Sequence, residues 1–234
     1  MKIGILQTGH VPEELVPEHG EYPTMFEELL SGHGFTFENF PVVENRFPGS
    51  VHDADGWLIT GSRHGAYEDH DWIPPLEDFI RSAFSAGVPL VGICFGHQII
   101  AQALGGKVIK FPGGWGVGEV VYHMDGGDKK ILAMHQDQVI ERPEMASVIA
   151  HSDFCANAGL AYKGATGDTT ALTFQPHPEF SPEYMRDLIE SRMGRIPVDQ
   201  AKAAMAAVGD ENDSPEIAQM IAGFFKQAAR EQAA

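Results

Sequence analysis

The sequence predicts an α/β protein of three layers, in which helices cover both faces of a mostly parallel central sheet that carries a smaller antiparallel extension. Two observations predict this class. In the first hundred residues, apolar stretches of strand length alternate with helical patterns, and this alternation builds a parallel sheet covered by helices. Across residues 107–174, short strand-like segments dominate, broken by glycine and aspartate, as is typical of antiparallel strands.

The first half of the chain contains the elements of the parallel sheet. Strands are predicted at residues 2–8, 35–42 and 56–60, with a helix around residues 24–30. A second helix spans residues 75–86, since it starts with proline and stops at a glycine. The strand at residues 88–93 is apolar throughout, which is expected at the centre of such a sheet. A third helix at residues 95–104 then ends at a pair of glycines.

The end of the chain differs in composition from the rest. Beyond residue 193 it is rich in Ala, Gln and Met, and apolar residues recur at helical spacing at Ile217, Met220, Ile221, Phe224 and Phe225. We therefore predict one domain at residues 1–193 and a helical extension at residues 194–234. This extension packs on the same domain or on a second subunit, so a homo-oligomer is compatible with the sequence.

Composition and charge exclude several classes of partner. The chain has 33 Asp and Glu residues against 16 Lys and Arg residues, a formal net charge of −17. This balance argues against nucleic acid or an anionic membrane surface as a partner. The first apolar run is too short for a signal peptide, and no segment reaches transmembrane length. The two cysteines lie in unrelated settings and indicate no disulfide framework. We expect a cytoplasmic protein.

Cys94 lies where the central apolar strand meets the following helix. Gly92 and Gly96 stand two residues on either side, as a turn too sharp for a β-carbon requires. The helix that begins at Phe95 directs its unpaired N–H groups and its positive dipole end at the thiol, which favours the thiolate. The Phe95 N–H can also stabilise an oxyanion. The pattern indicates a nucleophile, and the alternative is a small buried residue between closely packed elements.

His177 and Glu179 follow the predicted strand at residues 171–175. Pro176 and Pro178 stiffen the backbone around the imidazole. In an extended stretch, residues two apart project to the same side, so the Glu179 carboxylate can accept a hydrogen bond from one ring nitrogen while the other faces a thiol. The alternative is a solvated surface loop. The combination with Cys94 favours a Cys-His-Glu triad.

With both motifs identified, the sequence resembles the class I, triad-type glutamine amidotransferases, which carry a Gly-x-Cys-x-Gly-x-Gln elbow and a late His-Pro-Glu. The resemblance covers residues 1 to about 190 and implies the flavodoxin-like fold of this family. It also implies Cys94 as nucleophile, His177 as general base and acid, Glu179 as the residue that orients His177, and no metal or organic cofactor. It is strongest to stand-alone members, including γ-glutamyl peptidases, and to the glutaminase domain of GMP synthetase.

The resemblance also implies the oxyanion hole. Gly61, in the glycine loop after the third strand, is similar to the residue that supplies a second oxyanion N–H beside that of Phe95, and Ser62 adjoins it on the substrate side. Family members often have a proline after this loop, whereas Arg63 and His64 follow here. The shape of the pocket mouth is therefore expected to differ from the family pattern.

Four further residues are implied to bind substrate. Gln98 occupies the position that helps to hold the amino-acid backbone of the substrate. His135, Gln136 and Asp137 are similar to the family's His-x-Asp stretch, which contacts the glutamate portion. The bland alternative for this stretch, a strand end capped by Asp137, is compatible with the same role.

A metal site is not predicted. Residues 63–71 are rich in potential ligands, but their spacing matches no zinc motif.

Three functions remain in competition. The first is hydrolysis of the glutamine γ-carboxamide through a γ-glutamyl-cysteine thioester, which releases ammonia and glutamate and can serve a separate synthetase subunit. The second is stand-alone hydrolysis of γ-glutamyl peptides or conjugates. The third is a non-catalytic binding or regulatory module, against which the intact set of Cys94, His177, Glu179 and Gln98 argues.

Overall fold

The computed structural model describes residues 1–232, within which eleven strands and seven helices follow one another. The strands are β1 (Lys2–Leu6), β2 (Thr36–Phe40), β3 (Gly56–Ile59), β4 (Leu90–Ile93), β5 (Lys107–Lys110), β6 (Gly116–Met124), β7 (Gly127–His135), β8 (Asp137–Glu141), β9 (Ala146–His151), β10 (Gly159–Lys163) and β11 (Thr169–Phe174). The helices are α1 (Val16–His19), α2 (Tyr22–Leu29), α3 (Ile73–Ser85), α4 (Phe95–Ala103), α5 (Pro182–Ser191), α6 (Val198–Ala207) and α7 (Ser214–Gln232).

Nine strands form the central sheet, in the order β2-β1-β3-β4-β11-β10-β9-β6-β7. The first five of these strands are parallel, and their order is that of flavodoxin-like sheets. The remaining four extend the sheet in antiparallel fashion. Strands β5 and β8 form a separate antiparallel pair. The predicted α/β class with its antiparallel extension is confirmed.

The register of the central strands determines where the active site can lie. Strands β3 and β4 are buried along their whole length. Ile59 pairs with Gly92, and Ile93 pairs with Phe174, so β3, β4 and β11 end at one edge of the sheet. In open α/β sheets, ligands bind at the carboxyl ends of the strands. The residues that follow these three strands therefore meet there.

Helix boundaries differ slightly from the sequence prediction. Helices α2 and α3 begin at Tyr22 and Ile73, before the predicted positions 24 and 75. In both, a proline occupies the first turn, where its missing N–H has no intrahelical partner to lose. Proline thus marks the first turn of each helix and not its first residue.

The last two helices pack on the main body of the chain. Ala201 and Ala204 of α6 are buried in a cluster with residues of α5. Ile217, Ile221 and Phe225 of α7 are buried in the same cluster as residues of β1, β3 and β11. The domain boundary at residue 193 stays a prediction. Within the described part of the chain, no helix combines the length and the apolar character needed to cross a membrane.

Candidate active site

Cys94 occupies a strained turn between β4 and α4. Its φ of 53° and ψ of −101° lie outside the usual regions for a residue with a side chain. A β-carbon on Gly92 would lie 2.4 Å from the Gly96 carbonyl oxygen, and one on Gly96 would lie 2.2 Å from the Ile59 carbonyl oxygen. Glycine is therefore sterically required on both sides of Cys94, as the sequence pattern predicts.

His177 is held in one orientation by its surroundings. Its Nδ1 lies 2.7 Å from Glu179 Oε1, and both side chains are buried. Its backbone N–H donates to the Leu132 carbonyl on β7 at 2.8 Å. Its ring stacks on Phe180 with centroids 4.0 Å apart and planes within 7°. The imidazole is thus fixed by one hydrogen bond to a carboxylate and by one ring contact.

The side chains of Cys94 and His177 meet beside Gly61. A hydrogen bond links the thiol to the imidazole. Because Nδ1 is engaged by Glu179, Nε2 is the ring nitrogen that faces Cys94. A β-carbon on Gly61 would lie 3.0 Å from His177 Cε1 and 3.7 Å from Cys94 Cβ. The structure therefore brings the three predicted triad residues together and leaves room for them only because residue 61 is glycine.

Electrostatics favour a charged imidazole at this site. Burial lowers the pKa of His177, but the Glu179 carboxylate and Cys94 outweigh burial and raise that pKa to about 10. His177 can therefore hold a proton beside a thiolate at neutral pH. This is the charge state from which a cysteine attacks and a leaving group is protonated.

Both predicted oxyanion residues border Cys94. Phe95 is the first residue of α4, so its N–H has no partner within the helix. The Gly61 loop is tied down by Thr8 and Thr60, whose hydroxyls each donate to the Gly61 carbonyl at 3.1 Å. The Gly96 N–H donates to the Thr60 carbonyl at 3.2 Å, which holds this loop against the start of α4.

A cavity of about 280 Å³ opens over Cys94. All five predicted substrate-binding residues line it: Ser62, Gln98, His135, Gln136 and Asp137. The side-chain nitrogen of Gln98 donates to the Asp137 carbonyl and to Gln175 Oε1, both at 3.1 Å. The Gln98 amide is therefore already bonded on its nitrogen, and its position braces the loop that carries Asp137.

His135 is neutral at physiological pH. Burial lowers its pKa to about 4, because the backbone hydrogen bond to Asp137 does not offset desolvation. Its Nδ1 lies 3.2 Å from the Asp137 carbonyl oxygen and donates to it. A β-carbon on Gly116 would lie 2.7 Å from Nε2. Gly116, at the start of β6 in the glycine-rich stretch, therefore makes room for this ring.

Several residues that line the cavity were not identified from the sequence. Tyr67 donates its hydroxyl to Asp137 Oδ1 at 3.1 Å. Arg192 and Arg195 reach the cavity from the end of α5, and Lys110 reaches it from the end of β5. No motif marks these positions, because long-range packing alone brings these segments to the nucleophile.

The structure brings together three potential metal ligands that the sequence spacing did not indicate. His64, Glu68 and His70 place ligand atoms within 4.8 Å of one another. Glu68 Oε2 lies 3.3 Å from His64 Nδ1 and 2.9 Å from His70 Nε2. The carboxylate thus accepts from both rings and is satisfied without an ion. That the reaction needs no metal stays a prediction.

Comparison with known proteins identifies the family. The sequence profile of class I glutamine amidotransferases matches residues 38–193. γ-Glutamyl peptidase 4 of Arabidopsis thaliana is 31% identical, over 74% of this chain and 73% of its own. A glutamine amidotransferase-like protein of Schizosaccharomyces pombe is 30% identical, over 95% of this chain and 98% of its own. The glutamine-hydrolysing GMP synthase of Halobacterium salinarum has one polypeptide that is 28% identical, over 70% of this chain and 87% of its own.

Solved structures show the same fold. A glutamine amidotransferase from Thermotoga maritima superposes with a TM-score of 0.74 at 17% identity, over 97% of this chain and 98% of that chain. The resemblance predicted from the elbow and the His-Pro-Glu segment is confirmed. The chain belongs to the class I glutamine amidotransferases, a family of cysteine-dependent enzymes.

Proposed function

We propose that this protein hydrolyses the γ-carboxamide of glutamine or of a γ-glutamyl compound, through a γ-glutamyl thioester on Cys94. The observation that carries this proposal is the convergence of Cys94, His177 and Glu179 beside one cavity. The three residues belong to two segments far apart in the chain. Their meeting at the sheet edge, with Glu179 on Nδ1 and Cys94 on the opposite side of the ring, is the arrangement that nucleophilic catalysis requires.

The first half of the reaction forms the thioester. The Cys94 sulfur adds to the γ-carbonyl carbon, and negative charge collects on the carbonyl oxygen. The N–H groups of Gly61 and Phe95 stabilise this oxyanion, a contribution of about 3 kcal/mol per donor. His177 then gives its proton to the nitrogen, the carbon–nitrogen bond breaks, and ammonia or an amine leaves.

The second half of the reaction releases glutamate. Water enters where the amine has left, and neutral His177 removes a proton from it as it attacks the thioester carbon. The carbon–sulfur bond breaks, and the Cys94 thiolate is regenerated beside the imidazolium. Glu179 stays ionised throughout and stabilises the charged ring, which is why its carboxylate is placed on Nδ1.

The residues around the cavity hold the glutamate portion of the substrate in this proposal. Gln136 and the backbone of the His135 to Asp137 segment contact it, Gln98 supports that segment, and Ser62 extends the oxyanion loop. These assignments are supported by their shared location with Cys94 on the cavity wall.

Two forms of this function differ in the fate of the nitrogen. A glutaminase subunit releases ammonia for a separate synthetase, as the name of the Halobacterium relative indicates for that protein. A stand-alone hydrolase acts on γ-glutamyl peptides, as the name of the Arabidopsis relative indicates for that one. Both cysteines are free, which fits our inference that the reaction takes place in the cytoplasm.

The test is to incubate the purified protein with glutamine and with several γ-glutamyl peptides, and to measure released ammonia, amine and glutamate. We expect turnover of at least one substrate, and an increase in intact mass by one γ-glutamyl group on Cys94 after rapid acid quench. Cys94→Ala serves as the inactive control. Turnover that persists in Cys94→Ala, or a γ-glutamyl adduct on another residue, would contradict the proposal. Turnover of peptides alone favours the stand-alone hydrolase.

A further inference from the structure

A second, larger cavity adjoins the one over Cys94. Its volume is about 690 Å³, and it shares four lining residues with the smaller cavity: Arg63, His64, Arg192 and Arg195. The two cavities therefore meet across these four side chains. The smaller cavity contains the residues assigned to the glutamate portion, so the larger one lies beyond it. Ammonia as a leaving group needs no such space, whereas an amine that carries further atoms does.

The border between the two cavities is cationic in an otherwise acidic protein. The chain has a net charge of −17, yet four cations line the smaller cavity against the two carboxylates of Glu68 and Asp137. These cations are Arg63, Lys110, Arg192 and Arg195. Three of them stand on the border. A local excess of positive charge beside the nucleophile favours a substrate that brings negative charge to this place.

Carboxylates of the larger cavity do not neutralise these arginines. The larger cavity is also lined by Glu13, Glu14 and Glu21. Glu21 accepts hydrogen bonds from the Gln7 amide and the Val11 N–H instead. Among the ion pairs formed within residues 1–232, none involves an arginine of the border. Arginines elsewhere are paired, including Arg46, Arg81 and Arg186.

Arg192 is the best placed of the three. It follows the last turn of α5, and the Arg195 N–H donates to the Arg192 carbonyl at 2.8 Å, a tight turn that brings both side chains to the border. Arg192 is half-buried, and its positive charge acts on the buried hydroxyl of Tyr22, whose pKa it lowers against the larger effect of burial. The ring of Tyr22 stacks on Phe180, which in turn stacks on His177. The guanidinium therefore lies close to the layer behind the triad.

We propose that Arg63, Arg192 and Arg195 form a subsite for a carboxylate on the leaving group of a γ-glutamyl amide. The inference rests on the proposed function and specifies its substrate class: γ-glutamyl peptides, whose free carboxylate lies on the amine side of the amide bond. Arginine suits this task because its planar N–H groups bind a carboxylate through two parallel hydrogen bonds. Water adds across the amide, and the products are glutamate and an amine that keeps its carboxylate.

A different explanation of the arginines makes a different prediction. Cations near the end of a helix also complement its dipole, and this contribution is independent of the substrate. If that were the only role of Arg192, its replacement would change stability and would affect all substrates alike. The decisive measurement is therefore a comparison between substrates that differ only in the carboxylate.

The experiment uses γ-glutamylglycine and γ-glutamylglycinamide, with glutamine as a third substrate. kcat/KM is measured for the wild-type protein and for Arg192→Gln, Arg192→Lys, Arg63→Gln and Arg195→Gln. Arg81→Gln is the matched control, since it removes the same charge from α3, away from both cavities. We expect the wild type to prefer γ-glutamylglycine by about tenfold or more, and this preference to decrease with salt.

Arg192→Gln should lower kcat/KM for γ-glutamylglycine by about tenfold and leave the glycinamide unchanged, with partial rescue in Arg192→Lys. The more exposed Arg63 and Arg195 should each contribute a few-fold. If Arg192→Gln fails to fold, Arg63→Gln carries the test, because that residue lies in a loop. Equal turnover of the two peptides by the wild type, or an equal loss for both in the variants, overturns the subsite. Absence of turnover on all three substrates refutes the proposed function itself, and with it the subsite.

Discussion

Replacement of Glu179 by glutamine tests the electrostatic role of the triad. Glutamine keeps the shape of the side chain and an oxygen able to accept from His177 Nδ1, but it removes the negative charge. In the wild type these two atoms are 2.7 Å apart, and the side chains of His177 and Glu179 are 5% and 0% exposed, so water screens the interaction little. A hydrogen bond to a charged group contributes about 1.5–3 kcal/mol, which corresponds to about a ten- to 150-fold decrease in kcat.

The pH dependence of the same variant gives a second readout. In the wild type, burial lowers the pKa of His177, but Glu179 is the largest of the opposing causes, and the pKa is raised to about 10. His177 therefore keeps the proton that the leaving amine needs until the pH rises through that value. Without the carboxylate the pKa decreases, so the alkaline limb of kcat/KM should move to lower pH in Glu179→Gln.

The assay is steady-state hydrolysis of the best γ-glutamyl substrate from about pH 5 to about pH 11, a range that brackets the raised pKa. Glu190→Gln is the matched control, because it removes the same charge from the exposed side of α5. An unchanged kcat in Glu179→Gln, or an alkaline limb at the wild-type position, would refute the assignment of Glu179. A decrease of equal size in Glu190→Gln would show that net charge, and not the contact with His177, is responsible.

Three further predictions concern reactivity and packing. Iodoacetamide at neutral pH should label Cys94 and leave Cys155 unmodified, since burial raises the pKa of Cys155 to about 12, and peptide mapping by mass spectrometry would show equal labelling if this were wrong. Gly96→Ala should cost about 3 kcal/mol in urea unfolding, because its β-carbon would meet the Ile59 carbonyl oxygen at 2.2 Å. Gly223→Ala in α7, where a β-carbon meets nothing within 4 Å, should instead stabilise by about 0.5–1 kcal/mol, and a loss there would contradict the steric argument. Phe225→Ala should cost about 3–5 kcal/mol if α7 is part of the core, and a change below about 1 kcal/mol would show that α7 packs only loosely.

Backbone constraints made the nucleophile recognisable in the sequence. Gly92 and Gly96 are visible there because no other residue fits the contacts that the structure shows around Cys94. His177 and Glu179 are visible because two prolines and a spacing of two residues restrict where their side chains can point. Such local rules act within a few residues, so they can be read before any fold is known.

The tertiary structure alone decided what surrounds the triad. The sequence by itself determined the α/β class, the strand-to-helix corner at Cys94 and the segment of His177, because these depend on local periodicity and sterics. It did not indicate that Arg192 would stand beside Arg63, or that Glu68 would bridge His64 and His70. Those meetings depend on how β3, α5 and the loops after them are placed by packing across the whole sheet, and side chains that meet across long sequence separations leave no periodic signal in a single sequence.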